Sequence, residues 1–359
     1  MQAIAELYLL TDDERYRRAT LHIYQSIRRT DRHNTGAFSS AEQAAGNPCD
    51  TRAIETCCMV AWMALCIDVL RLTGDPTVAD ELELATYNAI MGAQHPSGRW
   101  WTYNTPMDGV RRASAHDIVF QAHQGAPELN CCSVNGPRGL GMLSEWAVMR
   151  TSEGVNLNCY SAGRIQLPLK RGYTPALTIE GDYPRRPNVQ VKVEVTRPVD
   201  LVFRLRIPQW SKRTTVWLNE DRLPDVHPGT YLLIQRTWQS GDTVRVRFDF
   251  GLHAWLGERE QAGKVSLYRG PVLLAYDQRF NAMDSDQLAP FTLANLRYAE
   301  ERTTGPFAPL LLLRFTGEDG RAVRLCDFAS AGVAGTVYRS WLPVRETSLP
   351  DEMRSPFAV

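Results

Sequence analysis

The sequence predicts a multidomain protein of mixed class, a helical segment followed by antiparallel β-sandwich structure. Three observations carry this. The chain has 359 residues, more than one hydrophobic core usually absorbs. Its first part holds long apolar segments punctuated by helix-capping residues. After Gly154 the apolar period falls to two, with turn residues between short runs. The expected divisions are 1–152 (helical), 153–260 (β-sandwich) and 261–359 (a second β-rich segment).

Each element has its own reason. Thr11 and Glu14 form a T-D-D-E capping pattern, which predicts a helix to about Arg29. Residues 56–73, TCCMVAWMALCIDVLRLT, are apolar nearly all round, so this helix is expected deep in the core. Gly74 stops it and Asp75-Pro76 opens the next, over 77–93. Asn135 as N-cap and Pro137 in the first turn predict a further helix to about Arg150. Antiparallel helix hairpins are the simplest assembly. In the β part, VQVKVEV (189–195), LVFRLRI (201–207) and VRVRFDF (244–250) alternate strictly. Asn219-Glu220 and Ser240-Gly241-Asp242 supply turns. More β structure is expected over 264–276 and 309–326. Trp210, Trp217, Trp238 and Trp255 suit sugar stacking, but core packing is the default for such residues.

Composition narrows the function classes. The chain is 44% hydrophobic and 22% charged, which excludes a disordered chain. Lys+Arg and Asp+Glu number 40 each, so no net field draws it to nucleic acid or anionic lipid. No uninterrupted run of 18 apolar residues occurs, and the N-terminus lacks the basic and apolar regions of a signal peptide. A cytoplasmic protein with no membrane or nucleic-acid partner is expected. The eight cysteines include two vicinal pairs, Cys57-Cys58 and Cys131-Cys132. Vicinal cysteines bridge each other only with strain, so reduced thiols are expected.

Two short segments carry candidate chemistry, Glu55-Thr56-Cys57-Cys58 and Asn130-Cys131-Cys132-Ser133-Val134-Asn135. Thiolates with a carboxylate make a tetrahedral zinc shell. Both segments sit at expected helix entrances, where free backbone N–H groups favour thiolate. Three thiolates and a carboxylate outweigh the charge of one zinc ion, which leaves a thiolate free to act as nucleophile. Free cysteine is also a common small core residue. That is the reading for Cys66, Cys159 and Cys326, while Cys49 lies in an expected loop. Spacing alone leaves zinc and core roles open for the two segments.

These residues form a pattern. E-T-C (55–57), followed by C-C-x-x-N-x-x-R at Cys131–Arg138, resembles glycoside hydrolase family 127, the β-L-arabinofuranosidases and their relatives. The resemblance runs on through RWWTYN (99–104), LRIPQWS (205–211), WQSGDTVRVRF (238–248) and LYRGPVLLAY (267–276). It implies an (α/α)6 barrel followed by β-sandwich domains. It implies zinc held by Glu55, Cys57, Cys131 and Cys132, with Cys131 the nucleophile of a retaining glycosidase. It also implies that Tyr103 lines the sugar pocket. The family's acid/base glutamate precedes Ala-Phe, a place that Gly36 holds here in Thr35-Gly36-Ala37-Phe38-Ser39-Ser40-Ala41-Glu42; Glu42 is the nearest acidic residue and is taken as the acid/base, with Asp50 second. Of the histidines His33, His95, His116 and His123, His33 stands nearest that acid and is assigned to substrate binding. Five or six helices fall short of the barrel's twelve. The resemblance therefore implies a partial barrel lacking its N-terminal part, to be completed by a missing half or a homo-oligomer partner. The alternative is a non-catalytic carbohydrate-binding or assembly fragment with a structural zinc site.

Overall fold

The computed structural model describes residues 2–38, 41–117, 130–167, 175–294, 296–316 and 321–358. Within these, the chain divides into two compact units. The first comprises Met1–Thr73, Glu81–Gly141 and Leu252–Val359; the second comprises Gly74–Asp80 and Met142–Gly251.

The first unit holds four main helices, α1 (Gln2–Thr11), α2 (Glu14–Thr30), α3 (Thr56–Thr73) and α5 (Cys131–Gly141), and the last four residues of α4 (Pro76–Leu84), whose first five belong to the second unit. The T-D-D-E reading needs a correction. Thr11 closes α1, with its hydroxyl donating to the Leu7 carbonyl at 2.6 Å. Asp13 caps α2 instead, accepting the Arg15 backbone N–H at 2.9 Å. Two helices meet here, so the threonine is already spent as the last turn of the first. Helix α3 is long and apolar enough to cross a membrane by length and composition, yet 67% of it is buried within the fold. Trp62, Met63 and Leu65 on it are fully buried. Helix α4 continues through a π-helical stretch, Ala85–Ile90, into Met91–Ala93.

The C-terminal strands belong to this same unit. Leu252–Leu256, Lys264–Arg269, Val272–Asp277, Ala322–Asp327, Leu312–Thr316 and Tyr298–Glu300 pair antiparallel in that order. Their inner face is the core of Val265, Leu267, Leu274, Leu313, Phe315 and Leu325. Polar contacts tie it to the helices. Asn88 donates to the Pro271 carbonyl at 2.9 Å and accepts the Leu273 N–H at 2.8 Å. The buried Arg32 donates to the Phe357 carbonyl at 2.6 Å and, among the helices, pairs with Glu81 at 2.9 Å.

The second unit is built of two sheets. One runs Asp221–Arg222, Thr215–Leu218, Thr243–Arg247, Asn188–Glu194, Ala176–Gly181, Gly163–Gln166, antiparallel throughout. The other runs Thr230–Trp238, Val199–Ile207, Gly154–Leu157, Val148–Arg150, with one parallel pair, Gly154–Leu157 on Val199–Ile207. The alternation read from the sequence is realised: Val189, Val191 and Val193 are buried, as are Leu201, Phe203 and Leu205. Asn219 sits at φ 54° in the hairpin turn between Leu218 and Asp221, which asparagine tolerates. Trp210, Trp238 and Trp255 are buried, in line with a core role.

Candidate metal centre

The site begins with a two-residue ladder. Ile54–Glu55 pairs with Asn104–Thr105, so Glu55 lies opposite Asn104. The ladder leads directly into α3. The Thr56 N–H donates to the Tyr103 carbonyl at 2.9 Å, and its hydroxyl donates to the Thr102 carbonyl at 2.8 Å. These bonds fix Cys57, the second residue of α3, beside Tyr103.

Helix α5 brings the other two cysteines. It starts at Cys131, not at Asn135 as the N-G-P sequence suggested. Asn130 is the reason: its side-chain oxygen accepts the backbone N–H of Cys132 and of Ser133, each at 3.1 Å. Pro137 consequently lies inside the helix. Asn135, freed from capping, donates its amide to Cys57 Sγ at 3.2 Å. Asn130 is itself held by its amide bond to Ser114 Oγ at 2.9 Å, and Ser114 by its N–H to the Trp101 carbonyl at 2.7 Å.

The four residues from the sequence converge. Ligand atoms of Glu55, Cys57, Cys131 and Cys132 all lie within 4.8 Å of one another. Cys57 Sγ is 3.5 Å from Cys132 Sγ, which is 4.0 Å from Cys131 Sγ and 3.9 Å from Glu55 Oε1. A tetrahedral zinc with Zn–S bonds of about 2.3 Å has S–S edges of about 3.8 Å. The donor set and its spacing fit that ion. Glu55 and Cys132 are buried and Cys57 half-buried, while Cys131 is exposed.

The electrostatics point the same way. The Cys57 thiol is pulled down to about 7, chiefly by the hydrogen bond from Cys132, with help from the Asn135 amide and Cys131. Its thiolate then opposes ionisation next door. Cys132 is pushed well up, first by its bond to Cys57 and then by burial. Cys131 is raised first by burial, then by Cys57. Several thiolates beside a carboxylate coexist only when a cation compensates them.

The remaining candidates divide. Tyr103 donates its phenol to Glu42 Oε1 at 2.7 Å. Burial, that bond and the charges of Glu55 and Cys131 push the phenol's pKa well up and keep it protonated. Glu42 is exposed, and both it (φ 67°) and Ala41 (φ 48°) occupy the left-handed region, a strained geometry for residues with side chains. Asp50 is clamped by Arg52 at 2.7 and 3.1 Å, which holds its carboxyl below the usual range. His33 is buried, with its backbone N–H on the Ala37 carbonyl at 2.8 Å. His95 stacks on Trp100 at 4.4 Å and meets Ser97 and the Val333 carbonyl through its ring nitrogens. His116 is exposed, and His123 lies outside the described residues. All eight cysteines are free, and Cys49, Cys66, Cys159 and Cys326 are buried away from the cluster. Sequence reasoning missed Cys58, whose Sγ is 3.0 Å from Glu55 Oε2. Its signal was the spacing of three residues from Glu55 on a helix start.

Comparison with known proteins agrees with this geometry. Residues 1–145 match the family model of the β-L-arabinofuranosidase GH127 catalytic domain, and residues 154–250 match that of the GH127 middle domain. Among solved structures, a GH127 β-L-arabinofuranosidase from Geobacillus stearothermophilus T6 matches with TM-score 0.78 and 20% identity, over 96% of this chain and 59% of that one. A second GH127 β-arabinofuranosidase matches with TM-score 0.81 and 19% identity, over 95% of this chain and 58% of that one. A glycoside hydrolase matches with TM-score 0.80 and 20% identity, over 96% and 64%. This chain thus spans less than two thirds of each of these structures. No curated protein matches it.

Proposed function

The chain belongs to glycoside hydrolase family 127, and on that premise we propose that it is a retaining glycoside hydrolase for β-L-arabinofuranosides or related sugars, with a zinc-bound cysteine nucleophile. One observation carries the reading. Glu55, Cys57, Cys131 and Cys132 converge within 4.8 Å, and only Cys131 among them is exposed. Zinc bound there would hold the thiolates deprotonated at neutral pH.

The residues then divide the work. Cys131 Sγ attacks the anomeric carbon, forming a C–S bond as the glycosidic C–O bond breaks. Glu42 protonates the leaving oxygen. In the second step Glu42 takes a proton from water, which attacks the same carbon, and the Cys131 thiolate departs. Tyr103 holds Glu42 through its phenol, and the strained backbone at Ala41 and Glu42 favours a functional role for that turn. Asp50 suits the acid role less well, because Arg52 favours its ionised form.

In this reading α1–α5 form part of an (α/α)6 barrel. Leu7, Leu9 and Leu10 on α1 are 40%, 56% and 80% exposed. A further stretch of the same fold, or a second copy, would cover them. The limited span against the solved relatives favours one second reading, a carbohydrate-binding or assembly fragment in which zinc is structural.

The experiment is zinc stoichiometry by elemental mass spectrometry, followed by intact-protein mass spectrometry with an activated aryl β-L-arabinofuranoside. One zinc per chain and a pentosyl adduct on Cys131, both absent in Cys131→Ala, are expected. Zinc without an adduct would favour the structural reading. No zinc in folded, reduced protein would refute the centre itself.

A further inference from the structure

A fourth sulfur stands beside the three sulfurs and one carboxylate of the cluster without belonging to it. Cys58 is three residues beyond Glu55, in the first turn of α3, and is half-buried. Its Sγ lies 3.0 Å from Glu55 Oε2. The other carboxylate oxygen, Oε1, faces Cys132 Sγ at 3.9 Å. The two oxygens of Glu55 therefore have different neighbours, one in the cluster and one outside it.

We propose that Cys58 is a positioning residue for the metal centre: its thiol donates to Glu55 Oε2 and leaves Oε1 to bind the ion. This rests on the reading of the cluster as a zinc site. The spacing of three is that of a capping box, in which the residue at the helix start and the residue three further on reach each other. Here the pair is a carboxylate and a thiol, and the helix start that carries them is anchored by Thr56 to the Tyr103 and Thr102 carbonyls. A thiol is a weak donor, but its acceptor is a buried carboxylate, where a charge-assisted bond is stronger. Partners of this kind orient metal-bound carboxylates, and their loss typically lowers metal affinity 10- to 100-fold. With Oε2 occupied, Glu55 is a one-oxygen ligand, and the shell closes at three sulfurs and one oxygen.

Cobalt(II) tests this without turnover. Its thiolate charge-transfer absorbance counts sulfur ligands, and chelator competition gives affinity. In Cys58→Ala, affinity is expected to fall roughly 10- to 100-fold with the charge-transfer intensity per bound cobalt unchanged. Cys58→Ser keeps a donor and is expected to restore affinity to near the parent value. Cys57→Ala serves as the ligand control and should lose both. Unchanged affinity in Cys58→Ala would overturn the proposal. So would a drop of about one third in its charge-transfer intensity, since Cys58 would then be a ligand. If the parent chain binds no cobalt at all, the zinc reading fails and this proposal with it. If the parent binds and only Cys57→Ala loses the ion, the positioning role alone fails.

Discussion

At the scale of single residues, the three thiols of the cluster are chemically unequal before any ion arrives. Cys57 receives the Asn135 amide at 3.2 Å and the Cys132 thiol, and ionises near 7. Cys131 and Cys132 are both pushed up, by burial and by Cys57. A hydrogen bond to a charged group is worth about 1.5–3 kcal/mol, or about one to two pKa units. Asn135 stabilises the thiolate, so removing its amide must raise Cys57. In metal-free Asn135→Ala, the lowest thiol midpoint, read from thiolate ultraviolet absorbance against pH, should rise by about one unit. An unmoved midpoint would mean that Cys132 and Cys131 hold Cys57 down without Asn135. The sequence displayed Asn135 inside the C-C-x-x-N pattern, but its local grammar, Asn before Gly-Pro, read as a helix cap. The competing cap at Asn130 won, because its oxygen meets two backbone N–H groups at once. Only the three-dimensional fold turned Asn135 into a partner for a residue 78 positions away.

Among the elements, α5 matters most, because it carries two of the four candidate ligands. Its seat is set by glycines. A Cβ at Gly136 would lie 2.3 Å from the Trp101 ring, and one at Gly139 would lie 2.7 Å from Ile90. The glycine of C-C-S-V-N-G-P-R is thus a close-approach position, and its partner is the R-W-W segment 35 residues earlier in the sequence. Gly136→Ala should push α5 off Trp101. Overpacking of this kind costs about 1–3 kcal/mol. The expected result is a lower midpoint of thermal unfolding and weaker zinc binding, measured on the same sample by circular dichroism and chelator competition. A variant as stable as the parent would show that the Trp101 ring gives way freely. What was legible here followed periodicity: 56–73 was read and found as one helix, and the alternating strands lie within a residue or so of their expected starts. What was not legible followed competition between caps, as at Thr11 and Asp13, where an end and a start share three residues.

For the molecule as a whole, the candidate ligands are few and close in space but far apart in sequence. Glu55 and Cys57 enter from one segment, Cys131 and Cys132 from another, and all four lie in the first unit. Residues 142–251 supply none of them. The sequence could place both halves of the centre through its motif but could not show that Leu252–Val359 packs with the helices, because strand periodicity carries no information on which neighbour a sheet covers. An ion that bridges the two segments binds the folded state and not the unfolded one. It stabilises by RT ln(1 + [Zn]/Kd), about 2.7 kcal/mol when free zinc is 100 times Kd. That stabilisation must appear where the ligands are. Amide hydrogen exchange read by mass spectrometry, with zinc and then with a chelator, should show slower exchange with zinc across Thr56–Thr73 and Cys131–Gly141. Opening of these helices breaks the centre, so their protection carries the binding energy. Peptides from Asn188–Glu194 and Thr243–Arg247 should exchange alike in both conditions, since no ligand depends on them. Equal exchange in α3 and α5 with and without zinc would mean that the two segments are held together by packing alone. The cluster would then be a consequence of the fold and not one of its supports.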